Sequence, residues 1–451
     1  MSDSTTSTGT QTAGATPDVL HITPPRERRR VLLSSFVGAL IEWYDFYLYG
    51  IAAAVVFNVV FFPGFDPLVG SLLAFTTLAI GFFARPLGGA IWGHFGDKLG
   101  RKKMLVLSIV AMGTGTTLMG VLPSYAQIGI WAPVLLVILR LIQGVAGGGE
   151  WGGAVLMAME HAPKRRGFSS SFPQMGLASG VLAANGVFAL IALMPHEQLI
   201  SWGWRLPFLF SAVLAVIGIW IRVGMKESPV FIADQERKAK EDVAVAAKRE
   251  RPLIAVFRHP KTLITTVLLV MGPFGASAVY LTFAATYGLE VGFSTSQILV
   301  ASLIGAGVGV IGQPICAIWS DFIGRKKVVT LGLVVQVVGA FVLFPQMNAH
   351  SVVGFYLGIV IIAIGHALSY SPLGAWLGEL FPTHLRYTGT SMGYQIAGSI
   401  GGGLTPAICA LLLLAAGGAP NSALIPIYVV VLSLLSFIGV RMAKETYRSE
   451  L

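Results

Sequence analysis

Basic residues alternate with long apolar runs along this chain, and that alternation restricts the fold more than any other feature. Apolar runs lie near 31–59, 68–93, 104–122, 131–158, 168–193, 204–224, 260–287, 296–319, 328–345, 352–378, 388–415 and 423–441. About 20 such residues are enough to cross a bilayer. All but Arg85, Arg140 and Arg205 of the 31 Lys and Arg residues fall in the tails and loops of one side. The alternate loops, near 60–68, 122–130, 194–203, 288–295, 346–351 and 417–422, carry none. Lys and Arg accumulate on the cytoplasmic side of a membrane, so the pattern predicts an even number of crossings with both termini inside. Backbone in lipid must satisfy itself within helices or a closed barrel. Continuous runs of this length predict an all-α integral membrane protein with twelve transmembrane helices.

Only 12% of the residues are charged, against roughly 25% in soluble domains. The net charge of +10 is spread over the loops of one side, so it does not point to nucleic acid. Cys316 and Cys409 both lie in apolar runs, which argues against a disulfide framework or a metal cluster. No Walker A, HExxH or CxxC pattern occurs. The chain therefore reads as neither an enzyme nor an ATP-driven pump, and no cofactor is expected.

Residues 1–30 read as a disordered cytoplasmic tail and 442–451 as a second tail. Between them, 31–224 and 259–441 read as two bundles of six helices joined by the charged linker 225–258, with a surface helix expected over 234–251. The halves repeat. After the second run, Gly93, Asp97, Lys98, Gly100, Arg101, Lys102 and Lys103 form a loop motif; after the eighth, Ala317, Asp321, Phe322, Gly324, Arg325, Lys326 and Lys327 stand 224 positions on. Glu160 with Arg166 and Glu379 with Arg386 follow the fourth and tenth runs. Two motifs in register, each setting an acid before a base, predict pseudo-symmetric halves of the kind transporters use. The repeated acids and bases predict a latch between the halves built from Asp97, Arg101, Glu160, Arg166, Asp321, Arg325, Glu379 and Arg386. With Ala317 and Phe322 in place of Gly and the first basic residue, the second loop is expected to latch less tightly.

The loop motif resembles the signature of the major facilitator superfamily, and Arg140 with Gln143 and Gly144 resembles its fourth-helix motif. Four further stretches are similar to the metabolite:proton symporter family within it: Glu42 to Gly50, Arg85-Pro86, Gly149-Glu150-Trp151, and Trp202 to Pro207. That family includes transporters of shikimate, 2-oxoglutarate, citrate and zwitterionic osmolytes. The resemblance implies the major facilitator fold and alternating access around a site between the halves.

The first run holds two acids, Glu42 and Asp45, on one helical face. Glu42 lies roughly 17 Å from the inner edge at 1.5 Å per residue. A carboxylate at that depth must be paired, protonated or wetted. Arg85 sits at a similar depth, about 13 Å, and is expected to partner one of the acids. Arg140, Gln143, Gly147 and Glu150 fall within about 80° of one another at 100° per residue, a polar stripe that should face a water-filled route. Glu42, Asp45 and Glu150 are the candidates for proton coupling. Arg85, Arg140 and Gln143, with Tyr280, His366, Tyr370 and Gln395 from the second half, are the candidates for substrate binding. Arg205 is expected to anchor at the outer edge. The second half offers no cation deep in a span.

The fifth run lacks the Gly-x-x-x-Gly-Pro of proton-coupled drug antiporters, reading Gly176 to Gly180 and then Val181. The expectation is a monomeric cell-membrane symporter importing a small organic anion, a mono- or dicarboxylate, with protons. A zwitterion symporter, an efflux antiporter and a non-transporting sensor are the alternatives.

Overall fold

The first helix begins with a proline, whose fixed φ suits the opening turn and whose missing N–H costs nothing there. It runs Pro25–Ala52 (α1) in the computed structural model, which describes residues 23–64, 67–240 and 252–448. Residues 25–30, assigned to the tail by sequence, are thus helical. Glu27 accepts the Lys226 N–H at 2.8 Å, and Arg30 lies over Gly224, so the entry turn is tied to the end of the sixth span. Eleven long helices follow: Pro67–Leu99 (α2), Arg101–Val121 (α3), Trp131–Glu160 (α4), Pro163–Ile191 (α5), Arg205–Val223 (α6), Pro260–Glu290 (α7), Thr295–Ile323 (α8), Arg325–Asn348 (α9), Val352–Leu380 (α10), Thr383–Ala415 (α11) and Leu424–Met442 (α12). All but α2 are long and apolar enough, over the residues described, to cross a membrane.

The helices are apolar outside and polar or small within, the reverse of a soluble bundle. On α6, Val213, Val216 and Trp220 are exposed while Ser211 and Gly218 are buried. On α12, Val431, Leu434 and Ile438 are exposed while Ser433, Ser436 and Gly439 are buried. Lipid-facing surface and close helix packing account for this. α1 packs on α4, α5 and α6, α2 on α4, and α3 on α6; in the second half α7 packs on α11 and α12, and α9 on α10. The two bundles meet where α2 crosses α11 and α5 crosses α8.

Three spans change pitch: π-helical turns occur at Ala53–Phe57 after α1, Val279–Phe283 in α7 and Gly398–Gly403 in α11. Between the halves, helices cover Pro229–Ala239 and Pro252–Phe257. Most of the expected surface helix over 234–251 lies outside the described residues.

Candidate functional site

In the first bundle, α1 presents its two acids to different partners. Arg85 Nη1 stands 2.7 Å from Glu42 Oε1, both groups buried. Its guanidinium also lies over the rings of Trp43, Phe46 and Phe82, at 5.1, 5.1 and 5.4 Å. Asp45 forms no ion pair among the described residues; it accepts from Thr116 Oγ1 and Ser211 Oγ, each at 2.7 Å. Gln143 Nε2 donates to the same Thr116 oxygen at 2.8 Å, and Arg140 Nη1 donates to Gln143 Oε1. A continuous hydrogen-bonded chain therefore runs Arg140–Gln143–Thr116–Asp45.

Arg140 is the anomaly of the cluster. It is buried, stacked over Phe46 at 4.8 Å and Tyr49 at 4.1 Å, and has no ion-pair partner among the described residues. Its Nε and Nη2 make no hydrogen bond, nor does Glu42 Oε2. These groups line a cavity of about 10 Å³ with Phe46, Gly81, Arg85, Met112, Gln143 and Gly144. Buried polar atoms are normally paired, and these unpaired atoms converge on one small cavity.

Glu150 is not part of that face. The helix of α4 is interrupted at Gly148 and Gly149, so counting 100° per residue across the break misplaces everything beyond it. Glu150 turns to α6 and pairs with Arg222, whose Nη1 lies 2.8 Å from Oε2, while Ser108 donates to the same oxygen at 2.9 Å. Arg222 also caps the Leu105 carbonyl. By sequence Arg222 counts with the inner loops, because it lies near the end of its span. The structure instead buries it among the helices of this half. Arg205 likewise does more than anchor: its Nη1 reaches the Gly120 and Leu122 carbonyls at 3.0 and 2.7 Å, tying α6 to the end of α3.

At mid-depth the halves meet through aromatic rings. Trp151 on α4 stacks on Tyr394 of α11, with centroids 3.5 Å apart and planes 5° from parallel. Tyr394 and Tyr370 share a hydroxyl hydrogen bond, the His366 ring stacks on Tyr370, and Tyr280 Oη lies 3.3 Å from His366 Nδ1. Trp151 Nε1 donates to Gln174 Oε1 at 2.7 Å, and Gln174 Nε2 to the Tyr370 carbonyl at 3.0 Å. Gln395 is committed to the Gly148 carbonyl of α4 at 3.0 Å. Trp151 and Gln174 were missed as candidates, although Trp151 stands within the Gly149-Glu150-Trp151 stretch. His366 Nε2, Trp43 Nε1 and both amide atoms of Gln313 are buried without partners.

The basic loops close one face with a network repeated in both halves. Asp97 accepts the N–H groups of Tyr387 and Thr388 at 3.2 and 3.0 Å, and the Thr388 hydroxyl at 2.8 Å. Asp321 accepts the N–H groups of Gly167 and Phe168 at 2.9 and 3.0 Å. Each acid thus caps the first turn of the opposite half's helix, where the dipole favours negative charge. Glu160 pairs with Arg101 and, at 3.1 Å, with Arg386; Glu379 pairs with Arg325 and Arg166, each at 3.3 Å. Asp321 receives one bond fewer than Asp97 from the opposite helix, because Phe168 stands where Thr388 offers a hydroxyl. Gly93 is required on the first side, since a Cβ there would come 2.6 Å from Thr388 Cα.

A third repeat was overlooked: Lys226-Glu227-Ser228 and Lys444-Glu445-Thr446. Glu227 accepts the N–H groups of Arg101 and Lys102, and Glu445 those of Arg325 and Lys326. Gly100 and Gly324 precede these helices at φ 107° and 103°, a region that side chains rarely adopt, and a Cβ would strike the capping glutamates.

The model of the Major Facilitator Superfamily matches residues 31–406 and 304–447. The chain belongs to that superfamily. This major facilitator chain is 41% identical to the shikimate transporter of Escherichia coli (strain K12), over 93% of its own length and 95% of the relative's. The proline/betaine transporter of the same strain is 33% identical, covering 93% and 84%. Among solved structures, the proton:xylose symporter XylE bound to 6-bromo-6-deoxy-D-glucose superposes with a TM-score of 0.77 at 18% identity, covering 93% of this chain and 97% of that one. The protein is a multi-pass membrane transporter of two six-helix bundles.

Proposed function

We propose that this transporter is a symporter that brings a small organic carboxylate into the cell together with protons. One observation carries the reading: Arg140, buried and stacked on aromatic rings, keeps unpaired N–H groups beside Glu42 and reaches Asp45 only through neutral side chains. With both acids ionised, the cluster of Glu42, Asp45, Arg85 and Arg140 is neutral. Protonation of one acid leaves a net positive charge at low dielectric, which a substrate carboxylate cancels. Charge balance thereby makes proton binding and anion binding favour each other. Arg140 would clamp the carboxylate through its planar fork. Tyr280, His366, Tyr370 and Gln313 would meet its hydroxyls or ring.

The basic face would be cytoplasmic, by the positive-inside rule, with both termini there and the protein a monomer in a bacterial inner membrane. The two acid–base networks would hold that face shut in one state and part in the other, the bundles rocking about the central site. A betaine or proline would also offer a carboxylate. Its cation, however, needs a free acid, and Glu42 is held by Arg85 while Asp45 is engaged by two hydroxyls.

The test is uptake into proteoliposomes under an imposed pH gradient, with shikimate, 2-oxoglutarate, glycine betaine and proline as substrates. Accumulation of a carboxylate that collapses with a protonophore is the expected result. Accumulation of the zwitterions alone, outward-only flux, or binding without counterflow would each replace this reading with another.

A further inference from the structure

We propose that the groove between α9 and α12 at the basic face is a binding site for an anionic phospholipid. The groove measures about 880 Å³ and is lined by Lys326, Lys327, Thr330, Leu331, Val334, Phe437, Val440 and Arg441. Its composition is layered. Three cations stand at its mouth, where α9 begins and α12 ends, and four apolar side chains form its floor. Val334 lies eight residues beyond Lys326, about 12 Å further along the helix. The groove therefore runs from headgroup level into the depth of acyl chains. Leu331, Val334 and Phe437 are exposed, continuous with the lipid-facing surface.

The charge on this groove is uncompensated. No Asp or Glu lines it. None of the three cations forms an ion pair among the described residues. The nearby Glu445 is spent on the backbone N–H groups of Arg325 and Lys326. The repeat sharpens the point. Arg222 stands four residues before Lys226 and is buried against Glu150; Arg441 stands three residues before Lys444 and is exposed. One residue of offset turns the side chain by about 100°, from the bundle interior to the lipid face. A phosphate held by Lys326, Lys327 and Arg441, with acyl chains on Leu331, Val334 and Phe437, satisfies both layers at once. Basic pockets between membrane helices on the cytoplasmic side recognise lipid headgroups in this way.

The test is native mass spectrometry of the full-length protein from nanodiscs containing phosphatidylglycerol and phosphatidylethanolamine. The wild type is expected to retain phosphatidylglycerol preferentially, and each cation removed to lower that retention about fivefold. The Lys326→Gln/Lys327→Gln/Arg441→Gln variant should lose the preference. Val334→Trp, which fills the floor and keeps every charge, should lower retention as well. If the triple variant does not fold, Arg441→Gln alone carries the measurement. Equal retention by wild type and charge variants, or equal retention of both lipids by the wild type, overturns the proposal. So does thermal stabilisation by inorganic phosphate alone that matches stabilisation by phosphatidylglycerol, since that makes the groove a free-anion site. The readout is lipid binding, so the result does not depend on which substrate is carried.

Discussion

Arg386 on α11 lies 3.1 Å from Glu160 on α4, so a carboxylate already paired with Arg101 of its own bundle is shared with the other bundle. With Asp97, Asp321 and Glu379 it ties the two bundles together at the basic face.

Asp97→Asn should therefore open that face. The substitution removes the charge that receives three hydrogen bonds from the start of α11. Hydrogen bonds to a charged group contribute roughly 1.5–3 kcal/mol, so the population with the basic face open should rise at least about tenfold. Asp321→Asn, with two such bonds, should shift it less. Distances between spin labels on α2 and α11 report the change. Unaltered distance distributions in Asp97→Asn would reject the latch.

Glu150 and Arg222 should behave as a structural unit. Removing one member of a buried pair typically costs about 3–5 kcal/mol, whereas replacing both with apolar groups is often neutral. Glu150→Gln is expected to lower the melting temperature and yield of purified protein, and Glu150→Met/Arg222→Leu to recover much of the loss. A Glu150→Gln protein of wild-type stability that fails only in proton-driven accumulation would return Glu150 to the coupling machinery.

Arg140→Lys keeps the charge and discards the flat guanidinium that stacks on Phe46 and Tyr49 and bonds Gln143. Insertion and thermal stability should stay near wild type, while uptake falls more than about tenfold, the scale of one lost charge-assisted hydrogen bond. Near-normal uptake in both Arg140→Lys and Arg140→Gln would leave the residue a structural one.

The parts of this molecule legible in its sequence are those that depend on one helix at a time. Apolar run length and Lys/Arg asymmetry locate the spans, and the paired loop motifs point to the duplicated halves. What needs two helices at once was harder to read. Arg222 looks like a loop cation because its depth is set by Gly38 of α1, whose bare backbone lets the guanidinium and Glu150 lie against it. Glu150 looks like part of a stripe because periodicity cannot register the break at Gly148. Trp151 and Gln174 gain meaning only once Tyr394 and Tyr370 arrive from the other bundle. The glutamates at 227 and 445 were within reach, since they follow the sixth and twelfth runs in the two halves.

The two acids of α1 lead to different expectations for the driving force. Asp45 has hydroxyl partners that serve a protonated or an ionised carboxyl alike, whereas Glu42 is held by Arg85. Protonation of Asp45 breaks no ion pair, so Asp45 is the acid expected to load the proton. Uptake should rise as the pH on the side opposite the basic face falls from about 8 to 6, because a carboxylate must be protonated there to load. Asp45→Asn imitates the loaded form permanently. It should retain exchange of substrate for substrate, lose accumulation against a gradient, and show a flattened pH profile. Glu42→Gln strands Arg85 in the bundle and should weaken folding as well as flux. Accumulation measured in proteoliposomes for the single and double amide variants distinguishes these outcomes. If Glu42→Gln/Asp45→Asn still accumulates substrate against its gradient, neither acid carries the proton. His366, buried with Nε2 unpartnered between Tyr280 and Tyr370, then becomes the residue to replace.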